Sequence, residues 1–439
     1  MATGFACLPA DDAYWIANAT APVCLIDAPE VAGNGDGLAR IDIRIAGGRI
    51  AGIRPAEPGR AGPRADLDGG MVWPCFVDMH THLDKSHIWP RRPNPDGTFE
   101  AALQAVRADR EINWTARDLS ARMDFSLKSA FAHGTKAIRT HLDCFAGQIG
   151  VTWPVFADMR AEWAGRIALQ GVSLTAVDQT FDGDLITEIV QVLQQNDGIL
   201  GCVTFMIPDL QAALDRLFSI AVDKDFDLDF HVDETRDPQA RSLRMIAETA
   251  LNFGFQGSVT VGHCCSLALQ PESEAMRTLD LVAAAGLSVV SLPMCNLYLQ
   301  DRRPGITPRW RGVTLLHEMR ARGIAVAVAS DNTRDPFFAY GDLDALEVFR
   351  EATRIAHLDH PFGDWPRSIT ATPGSVMKLK DAGTLAAGAS ADLVLFRART
   401  WTELLSRPQA DRTVVRCGRP IDTALPDYRE LDPILGGVS

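Results

Sequence analysis

The sequence predicts an α/β protein: a (β/α)₈ TIM barrel with a small β-sandwich built from both chain ends. Three observations carry that expectation. From residue 71 onward, short apolar runs alternate with longer stretches of helical spacing, the pattern of βα units on parallel strands. Eight such runs can be counted, the number that closes a barrel. Before residue 70 and after residue 383 the chain reads instead as short strands joined by glycine turns. The expected division is residues 1–70 and 383–439 for the sandwich and 71–382 for the barrel, with no strong linker between them.

In the first segment Ile41, Ile43 and Ile45 alternate with polar residues, and Ala46-Gly47-Gly48 turns the chain into a second strand at 49–53. The glycines between Gly33 and Gly37 follow no strand-loop-helix pattern and read as a flexible turn, not a phosphate cradle. Asp68-Gly69-Gly70 marks a junction. The first barrel strand is the apolar run 72–79, which ends in His80, Thr81 and His82. Helical spacing follows at 99–110 and 116–133, and Gly134 ends the second of these helices. Further strands are expected at 137–141, 167–174, 199–206, 226–231, 258–261, 288–292 and 324–329. Helices are expected between them at 186–195, 210–222, 239–253, 272–286 and 314–323. Strands at 391–396 and 413–416 return the chain to β.

Composition narrows the function classes. The chain has 439 residues, 46% of them hydrophobic and 23% charged, as in an ordinary globular protein. A formal net charge of −13 and the lack of a basic run argue against a nucleic-acid surface. The nine cysteines are scattered without CxxC spacing, which suggests reduced thiols in a cytoplasmic protein. The first residues lack the basic region of a signal peptide, and the longest apolar stretch, 281–295, is too short and interrupted to span a bilayer.

Chemistry-bearing side chains stand at the ends of the predicted strands. Strand one ends in His80 and His82, which face the same way because side chains two apart on a strand do. Strand five ends in His231 with Glu234 just beyond, strand six in His263, and strand eight in Asp331. In a barrel these ends converge on one mouth. Singly each has a plainer reading: His231 as a core histidine, Asp331 as a helix cap, Glu234 as a solvated carboxylate. Strand two ends in His141, which reads as structural. Their coincidence favours a site. Three imidazoles and a carboxylate suit Zn²⁺ or Fe²⁺ with an open position. Such an ion lowers the pKa of a bound water toward about 7, so that hydroxide is available at neutral pH. His80, His82, His231 and Asp331 fit as ligands, Glu234 as a proton shuttle and His263 as a polarising group.

The motifs HTHLDK (80–85), GTKAIRTHLD (134–143), HVDET (231–235), GHCCS (262–266), NLYLQDR (296–302), RGVT (311–314), SDNTRDP (330–336) and GTLAAGASADLVL (383–395) resemble the amidohydrolase superfamily. The resemblance covers nearly the whole chain and is strongest to the bacterial cytosine deaminase group. It implies one divalent ion on His80, His82, His231 and Asp331, with Glu234, His263 and Asp331 as the catalytic set. It also implies a homo-oligomeric cytoplasmic enzyme acting on a small heterocycle. No strand end offers the lysine that binuclear relatives carboxylate, which favours a single ion.

Several positions depart from the cytosine deaminase pattern. Ala176 stands where that group usually has glutamine, and Gln179 serves only with a small insertion. Asn332 replaces its second aspartate and Phe337 its tryptophan. Lys85 is closer to the branch that resembles N-isopropylammelide aminohydrolase; it either donates to a substrate carbonyl or forms a salt bridge. Lys85, Gln179, Asn332 and Phe337 are thus the expected substrate contacts. They suggest a ligand richer in carbonyl acceptors than cytosine. The expected activity is hydrolytic deamination of cytosine or a related oxo-pyrimidine or triazine amine, releasing ammonia. The rivals are an N-substituted triazine aminohydrolase releasing an alkylamine, a cyclic amide hydrolase, and a non-catalytic metal- or ligand-binding barrel.

Overall fold

A computed structural model of the chain describes residues 4–436. It separates into two compact units: one of Met1–Asp78, Lys128–Ala137 and Leu343–Pro426, the other of Met79–Leu127, Ile138–Asp342 and Asp427–Ser439.

The first unit is built on an eight-stranded sheet to which both chain ends contribute. Its N-terminal part includes Ala13–Pro22, Leu38–Ala46 and Arg49–Pro55, and its C-terminal part includes Leu393–Phe396 and Thr413–Arg416. Leu38–Ala46 pairs antiparallel with Arg49–Pro55 across Gly47 and Gly48, whose φ of 56° and 72° are conformations a side chain disfavours. One face buries Ile16, Ile41, Ile43, Ile45, Leu393, Leu395 and Val415 together, so the alternation seen in the sequence is the core face of this sheet.

The second unit is a TIM-barrel-like α/β assembly. Its strands, the first two of which start outside it, are β1 (Phe76–Thr81), β2 (Thr135–Asp143), β3 (Ala168–Leu174) and β4 (Leu200–Thr204). They continue with β5 (Leu228–Val232), β6 (Val259–His263), β7 (Ser288–Ser291) and β8 (Val326–Val328). Strands β1–β3 form one sheet and β4–β8 another, and the ladders from β4 to β8 are all parallel. Single parallel bridges also join Val172 to Ile199, Ala176 to Val203, and Thr81 to Asp331.

The run 72–79 is two strands. Met71–Pro74 pairs antiparallel with Leu393–Phe396, and β1 begins only at Phe76. Pro74 has no N–H to continue a ladder, which makes it a natural break. Strand eight is shorter than the run 324–329, ending at Val328 before the chain bends into the loop that carries Asp331. Helices Ile149–Glu162 and Ala345–Ala356 and strand Ala13–Pro22 were not foreseen. The first of these helices contains Pro154 and is apolar on most sides, so it shows no amphipathic period.

Candidate active site

The metal corner is assembled from strand ends in the second unit. His80 is the next-to-last residue of β1, and Asp331 is fixed beside it by an N–H donated to the His80 carbonyl at 2.9 Å. The imidazoles then converge. His80 Nε2 and His82 Nε2 each lie 3.2 Å from His231 Nε2. Asp331 Oδ1 lies 3.6 Å from His80 Nε2 and 3.3 Å from His82 Nε2. All four residues are buried. Donors about 2.0–2.2 Å from a common tetrahedral centre stand roughly 3.3–3.6 Å apart. The donor set and its spacing therefore fit a divalent ion. Burial holds His80, His82 and His231 well below the usual imidazole range, helped next by neighbouring histidines at His80 and His231 and by the Lys85 charge at His82, keeping them neutral as ligands must be.

The corner is reached by close approach and by unusual backbone. A Cβ at Gly262 would lie 2.9 Å from His80 Cε1, so only glycine admits that ring. Asp233, His263, Cys264 and Asp331 all have positive φ, between 47° and 66°. Such left-handed residues are costly and gather where a fixed geometry is needed.

Glu234 and His263 lie next to His80, His82, His231 and Asp331 and are joined by a residue not singled out from the sequence, Asn296. Its Nδ2 is 3.1 Å from Glu234 Oε1 and 3.0 Å from His263 Nδ1, and Glu234 Oε1 is 3.4 Å from His263 Nδ1. An amide N–H donating to Nδ1 places the His263 proton on Nε2, a buried atom with no hydrogen-bond partner among the described residues. Burial pushes His263 down to about 3. Burial, and next the Asp331 charge, push Glu234 well above the usual carboxylate range. Asn296 sits on the helix Pro293–Leu299 directly after β7. The only sequence signal for it is its place at the head of NLYLQDR.

His141, read from the sequence as structural, belongs to the same cluster. Its ring centroid is 4.1 Å from that of His80 and 4.7 Å from that of His231. It is one of four histidines whose ring nitrogens gather closely enough to share an ion. Its Nε2 is 3.2 Å from Asp229 Oδ1, and Arg139 holds Asp229 at 2.8 Å.

The polar loops beyond the strands form a second corner. Lys85 is buried and donates to Asp143 Oδ1 at 2.8 Å, while Arg110 takes Asp143 Oδ2 at 2.9 Å. Burial alone would lower the Lys85 pKa, but Asp143 and Asp84 outweigh it and keep the ammonium charged. The Lys85 Nζ lies 5.8 Å from the Phe337 ring centroid. Asn332 donates Nδ2 to Asp335 Oδ2 at 2.7 Å, and Asp335 Oδ1 accepts from the Phe337 and Phe338 N–H groups at 2.8 and 3.2 Å. Asn332 Oδ1 is 3.6 Å from Cys295 Sγ. Lys85, Asn332 and Phe337 are thus brought together. Gln179 is exposed on a 3₁₀ turn, Val177–Phe181, and shares none of these contacts among the described residues.

Neutral imidazoles beside a carboxylate, with a buried acid and histidine alongside, define a metal-dependent hydrolase. The chain belongs to the amidohydrolase family, whose pattern matches residues 168–421. A pterin deaminase of Rhizobium rhizogenes is 54% identical over 424 residues, covering 96% of this chain and 97% of that one. N-isopropylammelide isopropyl amidohydrolase of Pseudomonas sp. is 25% identical, over 81% of this chain and 87% of its own. Among solved structures, 5-methylcytosine deaminase from Klebsiella pneumoniae with 5-fluorocytosine superposes with a TM-score of 0.80 at 22% identity. That match covers 94% of this chain and 98% of the other. The protein is accordingly a C–N hydrolase, a hydrolytic deaminase of a heterocycle, in a metal-dependent family.

Proposed function

We propose that the substrate is a 2-amino-4-oxo heterocycle, with a pterin as the first candidate, and that one Zn²⁺ or Fe²⁺ is held by His80, His82, His231 and Asp331. The single observation that carries this reading is the 54% identity to a pterin deaminase along nearly the whole of both chains. The loop corner supports it. A pterin sets its O4 and N5 acceptors side by side, and a buried ammonium at Lys85 suits that edge. The eight strands are read as one closed barrel, supported by the single bridges from Val172, Ala176 and Thr81.

When bound, the ion supplies Lewis acidity and a water of lowered pKa. The chain's residues do the rest. Glu234, held by Asn296, takes a proton from the attacking water and passes protons to the ring nitrogen and the leaving amine. The His263 Nε2–H, fixed by the Asn296 bond to Nδ1, hydrogen-bonds the oxygen at the reacting carbon. Water adds, the C–N bond breaks, ammonia leaves and a ring carbonyl is formed.

The test is ammonia and amine release from pterin, isocytosine, cytosine, ammelide and N-isopropylammelide. Pterin should show the highest kcat/KM, with isocytosine next. A triazine amine or cytosine that outruns pterin would overturn the assignment.

A further inference from the structure

The seam between β1 and β8 is where the metal corner sits, and there the Thr81–Asp331 bridge and the Asp331 N–H bond to the His80 carbonyl join the end of β1 to the segment just past β8. Two loops leave this seam, 83–97 after β1 and 332–342 after β8. A segment nearly a hundred residues later lies across both. Tyr428 is stacked on Phe125 with centroids 5.4 Å apart and planes 29° apart. The Arg334 guanidinium lies 3.9 Å from the centre of the Tyr428 ring, and the Tyr428 hydroxyl donates to Asp342 Oδ1 at 3.3 Å. Tyr428 therefore touches the β8 loop near both its ends. That loop is drawn together internally by Arg334 N–H donating to the Tyr340 carbonyl at 3.0 Å.

The same segment reaches the β1 loop. Arg91 donates to the Ile434 carbonyl at 3.1 Å and is itself anchored on Asp109 and Asp118. The two loops are also tied directly: His87 N–H donates to the Thr333 carbonyl at 3.0 Å and Trp89 N–H to the Arg334 carbonyl at 2.9 Å. His87 and Arg334 both hold positive φ, of 62° and 48°. Residue 428 is itself set by a reciprocal cap, Asp427 accepting from the chain ahead while Glu430 accepts the Asp427 N–H.

We propose that residues 427–434 act as a clasp, with Tyr428 and Arg334 as positioning residues that hold Asp331 against His80 and His82. The idea rests on the ligand role given to Asp331 above. Tyr428 is 46% exposed, so its ring adds little to the core, and a purely structural role for it would be minor. The aromatic stack and the cation–π contact instead restrain one loop, the one that carries a ligand.

The experiment compares Tyr428→Ala with Tyr428→Phe, which keeps the ring. Arg334→Leu serves as a second variant should Tyr428→Ala not fold. Two measurements are made on each purified protein. The first is the rate at which bound metal passes to a colorimetric chelator without substrate. The second is amide hydrogen exchange of peptides covering 331–342 in the metal-free protein, which reads the clasp whether or not Asp331 binds an ion. Tyr428→Ala and Arg334→Leu should release metal roughly three- to ten-fold faster and exchange faster in that peptide and the 83–97 loop tied to it, with Tyr428→Phe close to wild type. Unchanged exchange in 331–342, or acceleration spread evenly over the chain, would overturn the clasp. Faster local exchange with unchanged metal release would keep the clasp and remove Asp331 from the ligand set.

Discussion

The proposed metal corner and the proposed substrate corner lie in the same unit but are built differently. His80 and His231 sit on strands and His82 one residue past β1, and their ring nitrogens converge to within 3.2 Å of one another through His231. Lys85, Asn332 and Phe337 stand on loops, and the polar groups there are largely engaged with one another through Asp143 and Asp335. Strand ends fix direction through the ladder, so the chemistry is set by the sheet. Loops fix direction only through side-chain bonds that a few substitutions can rearrange, so the substrate is set separately.

If the corners are separable, damage to each should read out differently. The largest effect should come from the metal corner. Asp331→Ala should bring metal content from close to one ion per chain to near zero, and turnover should fall to background, for pterin and cytosine alike. Two tightly held ions in the native protein would break the single-ion assignment.

Glu234→Gln should keep its metal but lose about 10²–10⁴ in kcat, the usual worth of general acid–base catalysis. Asn296→Ala should cost less, about 10- to 100-fold, because it removes hydrogen bonds of one to a few kcal/mol to Glu234 and His263. The pH profile sharpens these roles. His263 is lowered to about 3, so it is neutral at every pH above that and contributes no limb between pH 5 and 8. Burial and the Asp331 charge hold Glu234 above the usual carboxylate range, so an acid limb lying above that range belongs to it and should vanish in Glu234→Gln.

The separation also explains what could be read from the chain. His80-x-His82, His231, Glu234, His263 and Asp331 were legible because period-two strands and a common barrel mouth bring them together whatever fills the loops. Asn296 was not, since an asparagine on a short helix after an apolar strand has no spacing that marks it. His141 was legible as a strand end, but its neighbours depend on how closely β1, β2 and β5 pack. Gln179 was singled out by alignment to a pattern, and the 3₁₀ turn exposes it. The two-ring substrate proposed above was beyond the motifs, because pocket size depends on loops whose course the sequence leaves open. The clasp was equally hidden: Tyr428 reaches Arg334 only through folding of a segment that carries no repeat or motif.

The most direct test of this division is kcat/KM for pterin and for isocytosine in the native protein and in Lys85→Met, with metal content measured on both. Pterin has the N5 acceptor beside O4 and isocytosine lacks it. Loss of a charged donor should cost pterin about 10- to 100-fold and isocytosine clearly less, with metal content unchanged. Equal losses for the two substrates, or loss of metal with Lys85, would contradict the account that strand ends set the chemistry and loops choose the ring.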